Sequence, residues 1–236
     1  MKAKTLFAAL IAALVVASPA AFGQEKRAEK PGQAQPEKVK DNNKDKQKDK
    51  KDKENQGKKP AKVGEAAPTF TGTDSQGNTV SLSELTSQGK IVVIQWFNAQ
   101  CPYVVKHYEN GANTFNDIHS KYKGKDVVIL AVNSGAPGKQ GTGAEFNNKV
   151  KAQWKMEYPI ILDESGEIGR AYGAQNTPAM AIIGKDGKLA YFGAIDDDRS
   201  EKVGKTNYVT KALDEMLAGK PVTTSTTRPY GCGIKY

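Results

Sequence analysis

Cysteine is scarce in this chain of 236 residues, which contains two, Cys101 and Cys232. The position three residues after Cys101, where a CxxC motif would place its second sulfur, holds Val104. The sequence therefore excludes a disulfide formed within one short motif. Histidine is equally scarce, and Cys101 with His107 six residues later, without further ligands, is weak support for a copper or zinc site. We therefore predict no metal and no other cofactor.

The sequence also lacks an apolar run suited to a membrane-spanning helix, because the run from Leu6 to Val16 is too short and is followed by a charged segment. Lys2 and Lys4 precede this run and small residues follow it, so residues 1–23 are typical of a secretory signal peptide. No cysteine lies near the expected cleavage site, so the sequence does not predict a lipoprotein, which would need a cysteine there for acylation. We predict an exported bacterial protein, periplasmic or secreted at the cell envelope, with an uncleaved anchor as the alternative.

Residues 24–62 lack aromatic side chains and contain Val39 as their single large aliphatic residue. This composition cannot offset the entropy lost on ordering the backbone, so a disordered, Lys-rich linker is predicted. The linker carries 14 Lys and Arg against 8 Asp and Glu, whereas residues 63–236 are nearly neutral, with 19 against 18. The basic character of the chain therefore predicts no specific nucleic-acid partner. Weak contact of the linker with anionic surfaces is one interpretation, and a hydrated spacer is the one that a mixed-sign run favours.

The rest of the chain has the size of one domain. Continuous apolar runs at residues 91–97 and 126–132 are typical of strands that are covered on both faces of a sheet. The intervening segment, residues 102–122, has apolar side chains at helical spacing, which predicts two parallel strands connected by a helix. Further helices are predicted at residues 144–154, 167–172 and 206–217.

A turn signal at Asp186 and Gly187 predicts that the two apolar runs beside it form an antiparallel hairpin. Parallel and antiparallel pairs in one chain predict an α/β domain with a mixed sheet, which we place at residues 63–219. The remaining residues, 220–236, form a C-terminal extension that carries Cys232.

Cys101 lies where the first predicted strand meets the helix after it, and Pro102 suits the first position of that helix. The unpaired amides and the dipole of a helix start stabilise a thiolate, which makes Cys101 a candidate nucleophile. The alternatives are a small buried hydrophobe and one half of a structural disulfide. Trp96 and Tyr103 flank the cysteine and either shape a groove for peptide substrates or simply pack.

Three segments resemble the thioredoxin fold in its redoxin form: VGEAAPTFTGTDSQGNTVSLSEL, IVVIQWFNAQCPY and NTPAMAIIGKDGKLAYFG. This superfamily includes periplasmic thiol oxidoreductases and the peroxiredoxins, with their alkyl hydroperoxide reductase and thiol-specific antioxidant group. The resemblance covers almost all of residues 63–236, and the segments GAIDDD and TTRPYGCGIKY are similar to a peroxiredoxin-like subgroup. It implies a thioredoxin-like, three-layer α/β/α fold with a mixed central sheet, and redox-active cysteine chemistry.

The resemblance also implies where a substrate binds. In the superfamily a Thr-Pro pair with a cis peptide bond precedes the third strand, and here that pair is Thr177 and Pro178. These residues are expected to face Cys101 and to offer backbone groups to an incoming peptide. The predicted substrate-contacting residues are Trp96, Pro102, Tyr103, Thr177 and Pro178.

The reaction has three interpretations. The first is thiol-disulfide exchange, with protein or small-molecule thiols and disulfides as partners. The second is a thiol peroxidase that acts on hydroperoxides as an antioxidant. Peroxiredoxins, however, carry proline seven residues and threonine or serine three residues before their reactive cysteine, where this chain has Ile94 and Asn98. The third is a noncatalytic binding module that keeps the fold and a structural disulfide.

The second sulfur is predicted to be that of Cys232. Two cysteines in an exported protein are more often joined than free, and a flexible C-terminal extension needs only to lie back across the active-site face. Gly231 and Gly233 would allow a close backbone approach. We predict a Cys101–Cys232 disulfide in which Cys232 is the resolving cysteine, with a structural staple as the alternative.

Two other groups of polar residues carry weaker expectations. His107 is expected to be solvated or to cap a helix. Asp196, Asp197 and Asp198 either include a proton acceptor for the thiol or a cation site, or they form a polar loop before the last helix. The polar loop is the interpretation that we favour.

Overall fold

The computed structural model describes residues 59–236. The predicted signal peptide and most of the predicted linker lie outside the described residues. The strands are β1 (Thr71–Thr73), β2 (Thr79–Ser81), β3 (Ile91–Trp96), β4 (Val127–Asn133), β5 (Ile160–Leu162), β6 (Asn176–Thr177), β7 (Met180–Ile183), β8 (Leu189–Gly193) and β9 (Cys232–Gly233). The helices are α1 (Leu82–Ser87), α2 (Pro102–Val105), α3 (Thr114–Tyr122), α4 (Ala144–Gln153), α5 (Glu167–Tyr172) and α6 (Tyr208–Leu217). Within this part of the chain no helix has both the length and the apolar content to cross a bilayer.

A five-stranded mixed sheet forms the centre of the domain, in the order β5-β4-β3-β7-β8. Strand β3 is parallel to β4 and antiparallel to β7, which confirms the predicted parallel pair. Strands β7 and β8 pair antiparallel around the turn that contains Gly187, which has a φ of 74°. The predicted hairpin is therefore confirmed.

Strand β3 divides the core into two clusters, because each of its residues is buried and alternate side chains point to opposite faces. Ile91 and Val93 pack with residues of α3, α4 and α6, whereas Val92 and Trp96 pack with residues of α1 and α5. Helices therefore cover both faces of the sheet, in the predicted three-layer α/β/α arrangement. Cys101 belongs to the first cluster and Trp96 to the second.

The predicted helix at residues 102–122 is instead two helices, α2 and α3. Asn110 and Gly111 have φ angles of 56° and 85°, in the left-handed region that interrupts a right-handed helix. Asn113 then begins α3 as its N-cap. The break leaves α2 as a short helix of four residues beside Cys101.

The other predicted helices lie within two residues of their predicted ends. The last one begins later than predicted because Asn207 caps it, its side chain accepting a hydrogen bond from the amide of Thr210. The small β1–β2 hairpin and the β6–β9 pair were not predicted. Strands of two or three residues are too short to show a period in the sequence.

The segments at both ends of the predicted domain pack on it. The amide of Ala61 donates a hydrogen bond of 3.0 Å to the carbonyl oxygen of Ala171, and the Ala61 side chain joins the second core cluster. The prediction of a linker that extends to residue 62 was therefore wrong for residues 59–62. The C-terminal extension is not a loose tail either, because it runs beside β8, where the amide of Thr227 donates to the carbonyl oxygen of Phe192, and it ends with β9 paired to β6.

Two truncations test this boundary. Deletion of residues 24–58 is expected to leave the thermal midpoint unchanged, because the composition of that segment offers little apolar surface to bury. Deletion of residues 24–62 also removes the hydrogen bond and the apolar contact of Ala61, and we expect it to lower the midpoint by about 2–4 °C. Circular dichroism during heating measures both values. Equal midpoints for the two truncated proteins would show that residues 59–62 do not stabilise the domain.

Candidate active site

Cys101 follows β3 and is the N-cap of α2, which starts at Pro102. The side chain of Cys101 is buried, with 1% of the residue exposed. Its Sγ donates a hydrogen bond of 3.1 Å to the carbonyl oxygen of Thr177. The predicted position of Cys101 at a helix start is therefore confirmed.

Thr177 and Pro178 lie beside Cys101, as predicted, and their peptide bond is cis. Thr177 is buried, and its backbone pairs with that of Cys232 in the antiparallel β6–β9 pair. Thr177 therefore contacts both cysteine-bearing segments, the first through its carbonyl oxygen and the second through strand pairing.

Cys232 is half-buried, and both cysteines are free thiols in this structure. Burial, the hydrogen bond with Cys101 and the charge of Cys101 together raise the pKa of Cys232 to about 12, although the charge of Lys235 acts in the opposite direction. Cys232 also packs against the core cluster that contains Cys101. Two sulfurs that lie far apart in the sequence are therefore neighbours in the fold.

Gly231 allows β9 to approach the site closely. Its φ is 113°, a backbone conformation that residues other than glycine rarely adopt. A Cβ atom at this position would overlap the carbonyl oxygen of Thr177 and lie 3.2 Å from the Cβ of Tyr103. At Gly233, on the other side of Cys232, a Cβ would meet no atom within 4 Å. The predicted need for glycine therefore applies to Gly231 and not to Gly233.

Four polar side chains are buried beside the segment that carries Cys232, and we name them the buried polar cluster. They are Lys106, His107, Asp196 and Tyr230. The carboxylate of Asp196 accepts a hydrogen bond of 2.5 Å from the Tyr230 hydroxyl and lies 3.9 Å from the Lys106 ammonium. That ammonium also lies 4.6 Å from the centre of the Tyr230 ring. Because Tyr230 is close in sequence to Cys232, the cluster connects the C-terminal segment to the chain after α2.

Lys106 is also bonded to the loop that follows β8. Its ammonium donates hydrogen bonds of 2.7, 3.0 and 2.7 Å to the carbonyl oxygens of Asp198, Ser200 and Lys202. Burial lowers the pKa of Lys106, while the carboxylates of Asp196 and Asp198 raise it. A buried ammonium is costly unless its donors are paired, and here the three carbonyl oxygens accept them.

His107 is fully buried, so the expectation of a solvated or capping histidine was wrong. Burial lowers the pKa of His107 to about 4, helped by the charge of Lys106 and opposed by Asp196, whose carboxylate lies 4.0 Å from Nε2. The imidazole is therefore neutral at pH 7. Asp196, Asp197 and Asp198 lie in the loop between β8 and α6, as the favoured interpretation predicted, but the Asp196 side chain is buried.

The remaining predicted substrate contacts divide between the surface and the core. Pro102 is exposed, and Tyr103 is half-buried with its ring centre 5.9 Å from that of Tyr230. Trp96 is fully buried and packs on Tyr172 in the second core cluster. Trp96 is therefore a core residue, and its predicted contact with substrate was wrong.

The family profile named Redoxin matches residues 62–210. The chain belongs to the Redoxin family. The predicted resemblance and its thioredoxin-like fold are therefore confirmed. This Redoxin-family chain is 31% identical over 128 residues to the thiol-disulfide oxidoreductase ResA of Bacillus thuringiensis subsp. konkukian. The matched region covers 54% of this chain and 67% of that relative. It is 30% identical over 132 residues to ResA of Bacillus anthracis, and this match covers 56% of this chain and 69% of that relative.

Two solved structures are similar over most of their length. An uncharacterized conserved protein from Geobacillus kaustophilus is 29% identical with a TM-score of 0.67, covering 74% of this chain and 92% of that protein. A hypothetical protein from Sinorhizobium meliloti is 25% identical with a TM-score of 0.66, covering 75% and 96%. The Redoxin domain of this chain therefore shares its fold with these two bacterial proteins.

The substitutions Gly231→Ala and Gly233→Ala form a matched pair that tests how β9 covers Cys101. Gly231→Ala places a Cβ against Thr177, and strain at a positive φ costs on the order of 1–3 kcal/mol, so alkylation of Cys101 by iodoacetamide should become roughly 5- to 150-fold faster. Gly233→Ala should leave the rate unchanged because its Cβ meets open space. Mass spectrometry of the reduced, alkylated proteins measures both rates. Equal Cys101 reactivity in the two variants would show that β9 does not protect the thiol.

Proposed function

We propose that this chain is a thiol-disulfide oxidoreductase in which Cys101 is the nucleophile and Cys232 is the resolving cysteine. The observation that carries the proposal is the pairing of Cys232 with Thr177, whose carbonyl oxygen accepts the hydrogen bond of the Cys101 thiol. Similarity to the ResA proteins, which are named as thiol-disulfide oxidoreductases, supports the same reaction. The raised pKa of Cys232 supports its resolving role, because burial keeps this thiol protonated at neutral pH until a mixed disulfide has formed.

In the reducing direction, the Cys101 thiolate attacks one sulfur of a substrate disulfide. The substrate S–S bond breaks, one substrate thiolate leaves and takes up a proton from solvent, and a mixed disulfide forms on Cys101. The Cys232 thiolate then attacks Sγ of Cys101 and releases the second substrate thiolate. Two electrons pass from the cysteine pair to the substrate, and the pair becomes a disulfide. The reverse sequence oxidises a substrate dithiol.

The change in charge during this reaction favours the resolving step. The charge of Cys101 is one of the causes that raise the pKa of Cys232. Formation of the mixed disulfide removes the contributions of Cys101 but leaves burial, the largest cause of the raised pKa, so deprotonation of Cys232 becomes easier at the step that requires its thiolate. The resting pair therefore keeps Cys232 protonated, and the intermediate makes its deprotonation easier.

Access to Cys101 requires a movement of residues 231–234, which we name the C-terminal strap, because Tyr230 before them is held in the buried polar cluster. Cys101 is buried in this structure, while Cys232 on the strap is half-buried. The side-chain amide of Asn176 donates a hydrogen bond of 3.2 Å to the carbonyl oxygen of Gly231. A few such bonds hold the strap, so its release costs less than the opening of a core strand. The strap carries the resolving sulfur with it, and its return completes the reaction.

The proposal extends to the place and partners of the reaction. The leader pattern of residues 1–23 supports export, and a working cysteine pair suits a compartment in which disulfides form. The partners are thiols and disulfides of proteins or of small molecules.

The peroxidase alternative has less support from the local geometry. The Asn98 side chain donates a hydrogen bond to the carbonyl oxygen of Gln140 and accepts one from the amide of Gln100, so its polar atoms are used within the loop. Ile94 is a buried apolar residue. A peroxide would therefore meet neither the threonine hydroxyl nor the proline of a peroxiredoxin site. Stopped-flow oxidation of the reduced protein by hydrogen peroxide, at a rate well above that of a free thiolate, would favour the peroxidase.

The variants Cys232→Ser and Cys101→Ser test the division of roles. Cys232→Ser is expected to accumulate a mixed disulfide on Cys101 when mixed with a disulfide substrate, because the resolving thiol is missing. Cys101→Ser is expected to form such an adduct more slowly, because burial, the largest cause of the raised pKa of Cys232, remains in that variant. Intact-mass spectrometry and peptide mapping measure the adducts. Adducts on Cys101→Ser at the rate of Cys232→Ser, or wild-type turnover without Cys232, would contradict the assignment.

A further inference from the structure

A groove of about 520 Å³ opens beside the cysteine pair. Its walls come from the turn after Cys101, from the segment before β6, from the loop after β8 and from the C-terminal segment. The lining residues that matter here are Tyr103, Asn176, Arg199, Arg228, Tyr230 and Gly231. Pockets for small ligands usually occupy about 300–1,000 Å³, so this groove is large enough for a short peptide segment or a small organic molecule.

The charged side chains that line the groove are both cations. Arg199 and Arg228 line it, and no acidic residue does. Both arginines are exposed, and within residues 59–236 neither guanidinium takes part in an ion pair or a side-chain hydrogen bond. Each guanidinium has five N–H donors in a planar fork, so it can donate two hydrogen bonds to one carboxylate at once.

The buried polar cluster fixes the backbone on which each arginine is carried. The Lys106 ammonium binds the carbonyl oxygens of Asp198 and Ser200, the two residues that flank Arg199. Arg228 lies between Thr227, whose amide donates to the carbonyl oxygen of a β8 residue, and Tyr230, whose hydroxyl donates to the cluster. Two loops that are distant in sequence are thereby held so that both arginines line one groove.

A third cation lies near the sulfurs. Lys235 follows the strap and is exposed, and its charge acts on the Cys232 thiol. Three cations, Arg199, Arg228 and Lys235, therefore lie on the solvent side of the cysteine pair, while Asp197 and Asp198 belong to the same loop as Arg199 but do not line the groove. A local excess of one sign beside a reactive pair raises the local concentration of partners of the opposite sign.

We propose that this groove selects disulfides that carry carboxylates next to their sulfur atoms. The inference rests on the proposed thiol-disulfide exchange and adds its substrate class. Arg199 and Arg228 bind the carboxylates and so place the S–S bond beside Tyr103 and Gly231, where the strap opens over Cys101. Carboxylates lie close to the S–S bond both in small dicarboxylate disulfides and in protein disulfides flanked by Asp or Glu.

A series of three symmetrical disulfides of similar size tests the proposal: 3,3′-dithiodipropionate with two negative charges, 2-hydroxyethyl disulfide with none, and cystamine with two positive charges. The reduced full chain is mixed with each, and the second-order rate of thiol release is measured. Because each disulfide has its own intrinsic reactivity, the deciding quantity is the ratio of the variant rate to the wild-type rate for each compound. The variants are Arg199→Gln, Arg228→Gln and the double substitution.

The double variant is expected to react about 10-fold more slowly with dithiodipropionate, to be unchanged with hydroxyethyl disulfide and to be no slower with cystamine. Lys149→Gln is the matched control, because it removes one positive charge at an exposed position of α4 outside the groove. It should leave all three rates at their wild-type values. The dithiodipropionate effect should shrink at high salt, since exposed charges are screened.

Disulfide-linked peptides with Asp or Lys beside the cysteine separate the two sources of carboxylate. A larger loss of rate in the double variant for the acidic peptide than for dithiodipropionate identifies a protein segment as the occupant, and the reverse order identifies a small molecule; both support the charge preference. Identical variant-to-wild-type ratios for the anionic and cationic disulfides would overturn the groove proposal while leaving the exchange reaction in place. If the wild-type chain reacts with none of the disulfides faster than a free thiol does, the proposed function itself fails.

Discussion

The carbonyl oxygen of Thr177 is the contact on which the arrangement of the cysteine pair depends. It accepts the hydrogen bond of the Cys101 thiol, and the backbone of the same residue pairs with Cys232. Thr177 comes just before β7, and β7 pairs with β3, whose end leads into Cys101. The central sheet therefore sets the position of the oxygen relative to the first sulfur. The absence of a side chain at Gly231 lets the second sulfur reach the same place.

The buried polar cluster gives the C-terminal segment a defined path. Asp196 and Lys106 would both be costly to bury alone, and the bonds that satisfy them come from Tyr230 and from the loop after β8. These bonds form together only when the loop and the C-terminal segment are in place. The cluster therefore links the position of Cys232 to the walls of the groove beside it, so that the same contacts position both.

Much of the fold could be predicted because its strongest signals are local. The apolar runs of β3 and β4, the turn at Gly187 and the spacing of α4 each lie within a few residues of sequence. The proximity of Cys101 and Cys232 could be predicted because the chain contains no other cysteine. These local signals were enough to predict the architecture and to expect both cysteines on the same side of the central sheet.

The failures share a physical cause, which is that burial depends on partners far away in the sequence. Trp96 ends a strand that is buried on both faces, so no alternation of polar and apolar residues indicates which face it occupies. Lys106 and His107 look like surface residues until Asp196 and Tyr230 are placed beside them. The segments GAIDDD and TTRPYGCGIKY, which carry those two partners, were the signal that could have indicated a contact between them.

The reduction potential of the Cys101–Cys232 couple tests the central claim most directly. The full chain is equilibrated with thiol-disulfide buffers of graded potential, and the fraction of free thiols is measured by alkylation and peptide mapping, with Cys232→Ser as the baseline that cannot form the bond. A working exchange couple predicts one intramolecular disulfide with a potential above about −300 mV, the region of catalytic pairs. A disulfide that resists reduction well below that potential, or two thiols that stay free under mild oxidation, would contradict the account.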